Sequence, residues 1–173
     1  LKHTGYKIIY GSYASTDVYY RKPLTFHTCN PQAPATSFVM VNDIHGDNKL
    51  LEDLMSRCNL TQTDFVLFNG DMLSFINSED QLFKGFMDTA VRLFASEIPM
   101  YYARGNHETR GVFATEIQRY FSPCQEHLYY AFRQGPVYCI VLDTGEDKPD
   151  SDIEYAGITQ YDFYRTEQSE WLA

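Results

Sequence analysis

The sequence has few positive charges and no long apolar run. With 14 Lys and Arg against 23 Asp and Glu, the formal net charge of the 173 residues is −9. A basic surface that would bind a nucleic-acid backbone is therefore not expected. No apolar stretch is long enough to span a membrane. An acidic protein can still act on anionic substrates when bound metal cations supply local positive charge.

A signal peptide is also missing, because the first residues lack a charged region followed by an apolar one. The chain does not begin with Met, so this absence says nothing about export. The four cysteines Cys29, Cys58, Cys124 and Cys139 fit no zinc-binding spacing. Their predicted role is that of buried structural thiols. A disulfide stays open as an alternative if the protein is exported.

The first 36 residues differ in pattern from the remainder. Residues 6–10 and 17–20 are rich in β-branched and aromatic side chains, and residues 29–34 form a linker with two prolines. We interpret residues 1–36 as the end of a small β module plus a linker. From residue 37 onward, strands, loops and helices alternate, which predicts an α/β (α+β) domain over residues 37–173.

Capping signals and apolar spacing predict the helices. Asn48 is predicted to cap a helix that buries Leu50, Leu51, Leu54, Met55 and Cys58. Ser78 and Gln81 fit a capping box for the next helix. A hairpin is predicted across Gln134-Gly135-Pro136, and a last helix over residues 159–173.

Three short polar clusters each follow an apolar run. They are Asp43-Ile44-His45, Gly70-Asp71 and Gly105-Asn106-His107-Glu108. The apolar runs 38–41, 65–68 and 100–103 are typical of buried parallel strands. Because ligands of open α/β sheets gather at the carboxyl ends of the strands, the three clusters are expected to meet in one place.

The residue types in these clusters are those of a metal site. Asp43 and His45, two apart on an extended strand end, are expected to share a face and one ion. The Asp71 carboxylate has two oxygens and can bridge two ions, and Asn106 supplies a neutral oxygen. His107 is expected to act as a proton donor rather than as a ligand, oriented by Glu108.

For the other charged residues and the remaining histidines, the sequence gives weaker evidence of a role in the site. Arg104 and Arg110 flank the third cluster and could contact a phosphate, although a solvated or salt-bridged arginine is the favoured interpretation. The acidic segment 146–154 lacks the spacing of a calcium loop and is predicted to be a solvated loop. His27 and His127 are interpreted as packing or surface residues.

Together the clusters resemble the motifs of the calcineurin-like metallophosphoesterase superfamily. The resemblance covers about residues 38–173. It implies a two-sheet β-sandwich flanked by helices, with a dinuclear metal centre at the strand ends. By resemblance, Asp43 and His45 bind the first metal, Asp71 bridges, Asn106 binds the second, and His107 is the general acid. The ions would be Mn, Fe, Zn or Co.

The junction near Phe26-His27-Thr28 also resembles purple-acid-phosphatase-like members, in which a β-sandwich precedes the catalytic domain. This favours an exported or periplasmic protein. Ser74 stands where coloured members carry a Tyr, and His45 is present, which resembles the uncoloured phosphoesterases. Family members complete the site with a later lone His and a Gly-His-x-His motif. No His follows residues 137–142 here, so the sequence is expected to be the amino-terminal half of the catalytic domain.

The predicted function is hydrolysis of phosphate monoesters or diesters by two-metal activation of water. The alternative is a degenerate module that keeps the fold and binds a ligand or partner without turnover. The expected partner is a phosphoester substrate, with no membrane span and no nucleic-acid backbone. The half-domain alone is expected to be weakly active or inactive.

Overall fold

The computed structural model describes residues 7–10, 15–18, 24–121 and 127–173. Strands β1 (Lys7–Tyr10) and β2 (Ser15–Val18) pair antiparallel. These strands agree with the predicted β-rich character of the first 36 residues. The assignment of those residues to a separate module stays a prediction. Tyr19, Tyr20 and Cys124 lie outside the described residues.

A three-stranded parallel sheet carries the predicted strand ends. It consists of β3 (Phe38–Val41), β4 (Phe65–Asn69) and β5 (Met100–Ala103), with β4 in the middle. The prediction of parallel strands from the three apolar runs is confirmed. Full burial was wrong for β3, because it lies at the sheet edge, where Phe38 and Met40 are 45% and 54% exposed.

Helix α1 (Asn48–Ser56) connects β3 to β4. The capping prediction was wrong by one residue, since Asp47 is the N-cap and its carboxylate accepts a hydrogen bond from Leu50 N at 2.9 Å. Leu51 and Met55 are buried as predicted, whereas Leu50 is exposed. The apolar face that the helix buries is therefore narrower than the sequence predicts.

A helical segment of 17 residues connects β4 to β5. It begins after Ser78, whose hydroxyl accepts from Gln81 N, as the capping-box prediction expects. Its α-helical turns α2 (Glu79–Leu82) and α3 (Asp88–Ala90) alternate with π-helical turns at Phe83–Met87 and Val91–Ala95. Four apolar side chains of this segment are buried in the core against the sheet: Leu82, Phe86, Ala90 and Phe94.

The opposite face of the sheet is covered by the predicted hairpin. Its strands are β6 (Tyr130–Gln134) and β7 (Val137–Val141), paired antiparallel. Phe132 packs edge-on against Phe65 and stacks on Tyr101, with ring centroids 5.5 and 3.7 Å apart. The parallel sheet therefore lies between a helical layer and a second, smaller sheet. This mixed α/β architecture confirms the predicted fold class.

The remaining helices are short, apart from the last. The predicted terminal helix is present as α5 (Tyr161–Leu172). In the described ranges, no helix is long and apolar enough to cross a bilayer. The short helix α4 (Gln118–Phe121) and 3-10 turns at Leu60–Gln62, His107–Thr109, Ala114–Glu116 and Ile153–Tyr155 complete the elements.

Candidate metal centre

The three sequence clusters meet at the carboxyl ends of β3, β4 and β5. The loop after β3 lies against the loop after β4, where Asp43 N donates to Gly70 O at 3.2 Å and His45 N to Asp71 O at 3.0 Å. The expectation that Asp43 and His45 continue an extended strand was wrong. Asp43, His45 and Asp71 have left-handed backbones, with φ of 56°, 51° and 54°. The turns direct the side chains away from the sheet core.

His45, Asp71 and His107 form one compact group of ligand atoms. One nitrogen or oxygen atom from each side chain lies within 4.8 Å of those of the other two. The two imidazole rings pack edge to face with centroids 4.6 Å apart. Asp43 lies at the rim, with Oδ1 3.7 Å from His45 Nε2 and a side chain that is 61% exposed. Imidazole and carboxylate donors in such a group suit transition metals.

The Asn106 amide provides a test of whether a cation fits here. In one orientation its oxygen faces only acceptor atoms. Rotating the amide by 180° instead lets Nδ2 donate to Asp71 Oδ2 at 3.2 Å and Oδ1 accept from Arg110 at 3.0 Å. In the first orientation, the amide oxygen and the carboxylate oxygen face each other without a proton between them. The rotated amide satisfies both atoms without an ion, whereas the first orientation offers two oxygen ligands to one, so the residue types here fit a metal ion.

The His107 ring is held by Ser74. Its Nδ1 lies 3.1 Å from the backbone oxygen of Ser74 and 3.2 Å from Arg110 Nη1. A carbonyl only accepts and a guanidinium only donates, so the Ser74 contact needs a proton on Nδ1 whereas the Arg110 contact needs its lone pair, and each tautomer satisfies one of the two. The Ser74 hydroxyl also lies 3.1 Å from His45 Nδ1. Ser74 therefore contacts both imidazoles, a role that the sequence pattern did not reveal.

Glu108 does not orient His107, and that prediction was wrong. Its side chain is completely buried, and its carboxylate accepts from the backbone N–H groups of Asp71, Leu73 and Gly105 at 2.9–3.0 Å. Burial raises the pKa of the Glu108 carboxyl, and the backbone donors oppose that rise. The carboxylate thus bridges the loops after β4 and β5 rather than the imidazole.

Both arginines beside the third cluster are paired with carboxylates, as the favoured interpretation predicts. Arg104, 14% exposed at its side chain, binds the fully buried Asp143 through Nε and Nη2 at 3.2 and 2.8 Å. Arg110 binds Glu146 through Nε and Nη2 at 2.6 and 2.8 Å. These paired hydrogen bonds fix the guanidinium planes.

Glu146 contradicts the prediction of a wholly solvated acidic loop. It is 8% exposed and also accepts from Thr109 Oγ1 at 3.2 Å. The hydrogen bond from Arg110 lowers the pKa of the Glu146 carboxyl. Sequence reasoning missed this residue because its partners lie 36 and 37 positions earlier. No local spacing signals such a contact.

A cavity of about 340 Å³ opens beside His45. The ring of Phe75 lies at its wall and is 49% exposed. This cavity places a mixed apolar and polar surface next to the ligand group. Its other lining residues come from the loop after β4 and the following helical segment: Leu73, Ser74, Gln81, Lys84 and Gly85.

Among the residues that the structure describes, the other histidines and cysteines lie outside this group. His27 is exposed, and His127 stacks on Tyr129 with ring centroids 4.9 Å apart. Cys29, Cys58 and Cys139 are free thiols. The prediction of a buried thiol was wrong for Cys29, which is exposed. Cys58 and Cys139 are partly buried.

The calcineurin-like phosphoesterase family model matches residues 36–173. The chain belongs to this family. The match confirms the resemblance that rests on the three clusters. A search of the curated proteins found no match. Membership supports hydrolysis of phosphoesters with the help of metal ions, and the group of His45, Asp71 and His107 is a candidate site for them.

Proposed function

We propose that the protein hydrolyses phosphate esters at a dinuclear metal centre built from Asp43, His45, Asp71 and Asn106. One observation carries the proposal. Three strand ends bring the ligand atoms of His45, Asp71 and His107 within 4.8 Å of one another, with the Asn106 amide against the Asp71 carboxylate. A group of imidazole, carboxylate and amide side chains that converges at the carboxyl ends of parallel strands is typical of a binding site rather than of a core.

Each residue has a separate task in this proposal. Asp43 and His45 would hold the first ion, Asn106 would hold the second, and Asp71 would be shared by the two. Such ions would supply polarisation of the phosphoryl oxygen and activation of a water near neutral pH. The cavity beside His45 accommodates the group attached to the phosphate.

His107 acts as the general acid in the proposed reaction. Both contacts of the ring are made by Nδ1, so Nε2 is the ring atom assigned to protonate the leaving oxygen. Arg110, fixed by Glu146, lies beside the same ring. These contacts limit rotation of the imidazole and keep the donor atom in place.

Metal analysis and turnover together test the proposal. The protein should contain about two transition-metal ions per chain and should hydrolyse 4-nitrophenyl phosphate or bis(4-nitrophenyl) phosphate. Asp71→Asn should remove bound metal and lower kcat/KM by more than the roughly 10–100-fold typical of outer-shell changes. Protein without metal and without turnover would instead favour a binding module.

The role of His107 has its own test. His107→Asn should lower kcat by about 10²–10⁴-fold for an alkyl phosphate, whose leaving oxygen needs a proton. The loss should be much smaller for 4-nitrophenyl phosphate, because nitrophenolate leaves without protonation. His27→Asn, a change at an exposed histidine, is the matched control. Equal losses with both substrates would contradict general-acid catalysis.

A further inference from the structure

The buried carboxylate of Glu108 occupies a pocket of backbone donors. Oε1 accepts from Leu73 N at 2.9 Å, and Oε2 accepts from Asp71 N and Gly105 N at 2.9 and 3.0 Å. Successive backbone N–H groups that converge in this way form an anion-binding concavity. Here the protein fills that concavity with its own side chain, which has no exposed surface.

The donors of this pocket come from two loops that approach each other closely. A Cβ atom at Gly70 would lie 2.7 Å from the N and Cα atoms of Gly105. A Cβ atom at Gly105 would lie 2.2 Å from Asp71 Oδ1. Only glycine permits this approach. The Glu108 carboxylate is the group that hydrogen-bonds to both loops at once.

The positions of the candidate ligands depend on the same contact. Asp71, one of the three hydrogen-bond donors, has a left-handed backbone, and its Oδ1 accepts from His107 N at 3.1 Å. Gly105, a second donor, directly precedes Asn106. Without an anion in the pocket, these three N–H groups, of which that of Leu73 is buried, would lose their acceptor, and the two loops would lose one of the contacts that hold them together.

We propose that Glu108 is a positioning residue that holds Asp71, Asn106 and His107 in ligand geometry before any metal ion binds. This inference rests on the proposed metal centre for its functional consequence. Its structural part is that Glu108 holds the backbone N–H groups of Asp71, Leu73 and Gly105. Its functional part is that this contact raises the affinity for metal. The two parts are therefore tested by different measurements.

The structural part is tested by amide hydrogen exchange in metal-free protein. The wild type should protect the amides of Asp71, Leu73 and Gly105, and Glu108→Ala should lose that protection. Glutamine has only one acceptor oxygen, so Glu108→Gln should lose protection at Leu73 or at the Asp71 and Gly105 pair, but not at both. Glu170→Gln, on the exposed side of α5, changes the same charge and should change none of the three.

The functional part is tested by Mn²⁺ titration and by chemical rescue. Both Glu108 variants should bind Mn²⁺ about 10–100-fold more weakly than the wild type, as is typical for groups that support ligands. Formate fits the space left in Glu108→Ala and should restore both amide protection and Mn²⁺ affinity. The same concentration of formate should leave Glu108→Gln and the wild type unchanged.

The outcomes separate this inference from the proposed function. Unchanged protection in Glu108→Ala, or Mn²⁺ affinity within about 2-fold of the wild type, would overturn the inference while leaving the metal centre intact. A wild type that binds no metal would overturn the proposed function, and the exchange data would still decide the role of Glu108. If Glu108→Ala does not fold, Glu108→Gln provides both measurements.

Discussion

Two regions of the molecule use the same acidic and basic residue types in opposite ways. At the ends of β3, β4 and β5, the side chains of Asp43, His45 and Asp71 make few contacts with charged partners. In residues 127–173, many carboxylates are engaged in pairs with cations, hydroxyls and backbone amides. Examples are Asp143 with Arg104, Glu146 with Arg110, Glu167 with Tyr129, and Asp150 with the first amides of α5.

The difference shows that composition does not separate a reactive group from a structural one. The acidic segment carries more carboxylates than the strand ends, yet its described members stabilise loops and a helix start. The strand-end residues are instead held by their backbones, through left-handed turns and glycine contacts. The fold uses these side chains only in part, through contacts of Asp71 Oδ1 with His107 N and of His45 Nδ1 with the Ser74 hydroxyl at 3.1 Å each.

The largest expected effect on stability comes from replacing one aspartate in each region by asparagine. Asp143→Asn leaves the poorly exposed Arg104 guanidinium without its counter-charge, and the free energy of unfolding should fall by about 3–5 kcal/mol. Asp43→Asn, at a side chain that is 61% exposed, should change it by no more than about 0.5 kcal/mol. Denaturant unfolding of metal-free protein measures both values.

The two variants should rank in the reverse order by their loss of Mn²⁺ affinity. Asp43→Asn removes a proposed ligand and should weaken binding, whereas Asp143→Asn, in protein that remains folded, should retain it better. Equal losses of stability in the two variants would contradict the distinction between the regions.

A glycine in each region provides the second comparison. Gly70 and Gly157 both have left-handed backbones, with φ of 82° and 72°, but a Cβ atom meets Gly105 at 2.7 Å in the first case and nothing within 4 Å in the second. Gly157→Ala should cost about 1 kcal/mol for backbone strain. Gly70→Ala should cost about 1–3 kcal/mol more, since the two loops must separate.

Thermal unfolding of the two alanine variants measures this difference. Only Gly70→Ala should also weaken Mn²⁺ binding. Equal destabilisation would mean that the close contact between the loops after β4 and β5 adds nothing beyond the turn itself.

The smallest expected effect concerns pH in the structural region. The hydrogen bond to Glu167 raises the pKa of Tyr129 from 10.0 to about 12. Because the folded pKa exceeds the unfolded one, the stabilisation is fully present below pH 10 and is lost as the pH rises through about 12. The stability difference between the wild type and Tyr129→Phe should shrink over this range. A difference independent of pH would show that Glu167 does not hold the Tyr129 proton.

Most of the fold follows from local signals in the sequence. The apolar runs before Asn42, Gly70 and Arg104 predict the parallel strands, and Ser78 with Gln81 predicts the start of α2. The exposure of Phe38 and Met40 was not predictable, because a run of apolar residues does not show which strand lies at the edge. Asp47 and Asn48 are both good caps, so spacing alone could not choose between them.

The candidate site also has features that the sequence predicts and features that it does not. The sequence predicts that three strand ends meet, and the structure brings His45, Asp71 and His107 together. The individual ligand assignments stay predictions. The roles of Ser74, Glu108 and Glu146 depend on backbone groups or on partners more than 30 positions away. A motif records which side chains occur, but not which main-chain amides they contact.

The left-handed backbones of three proposed ligand residues have a consequence for directed evolution. Asp43, His45 and Asp71 occupy backbone conformations that glycine adopts without penalty, and each costs about 1–3 kcal/mol in a residue with a Cβ atom. A library selected only for heat tolerance should therefore accumulate glycine at these positions and lose metal affinity. Selection for turnover should restore the original residues. These turns are therefore expected to show a trade-off between stability and activity.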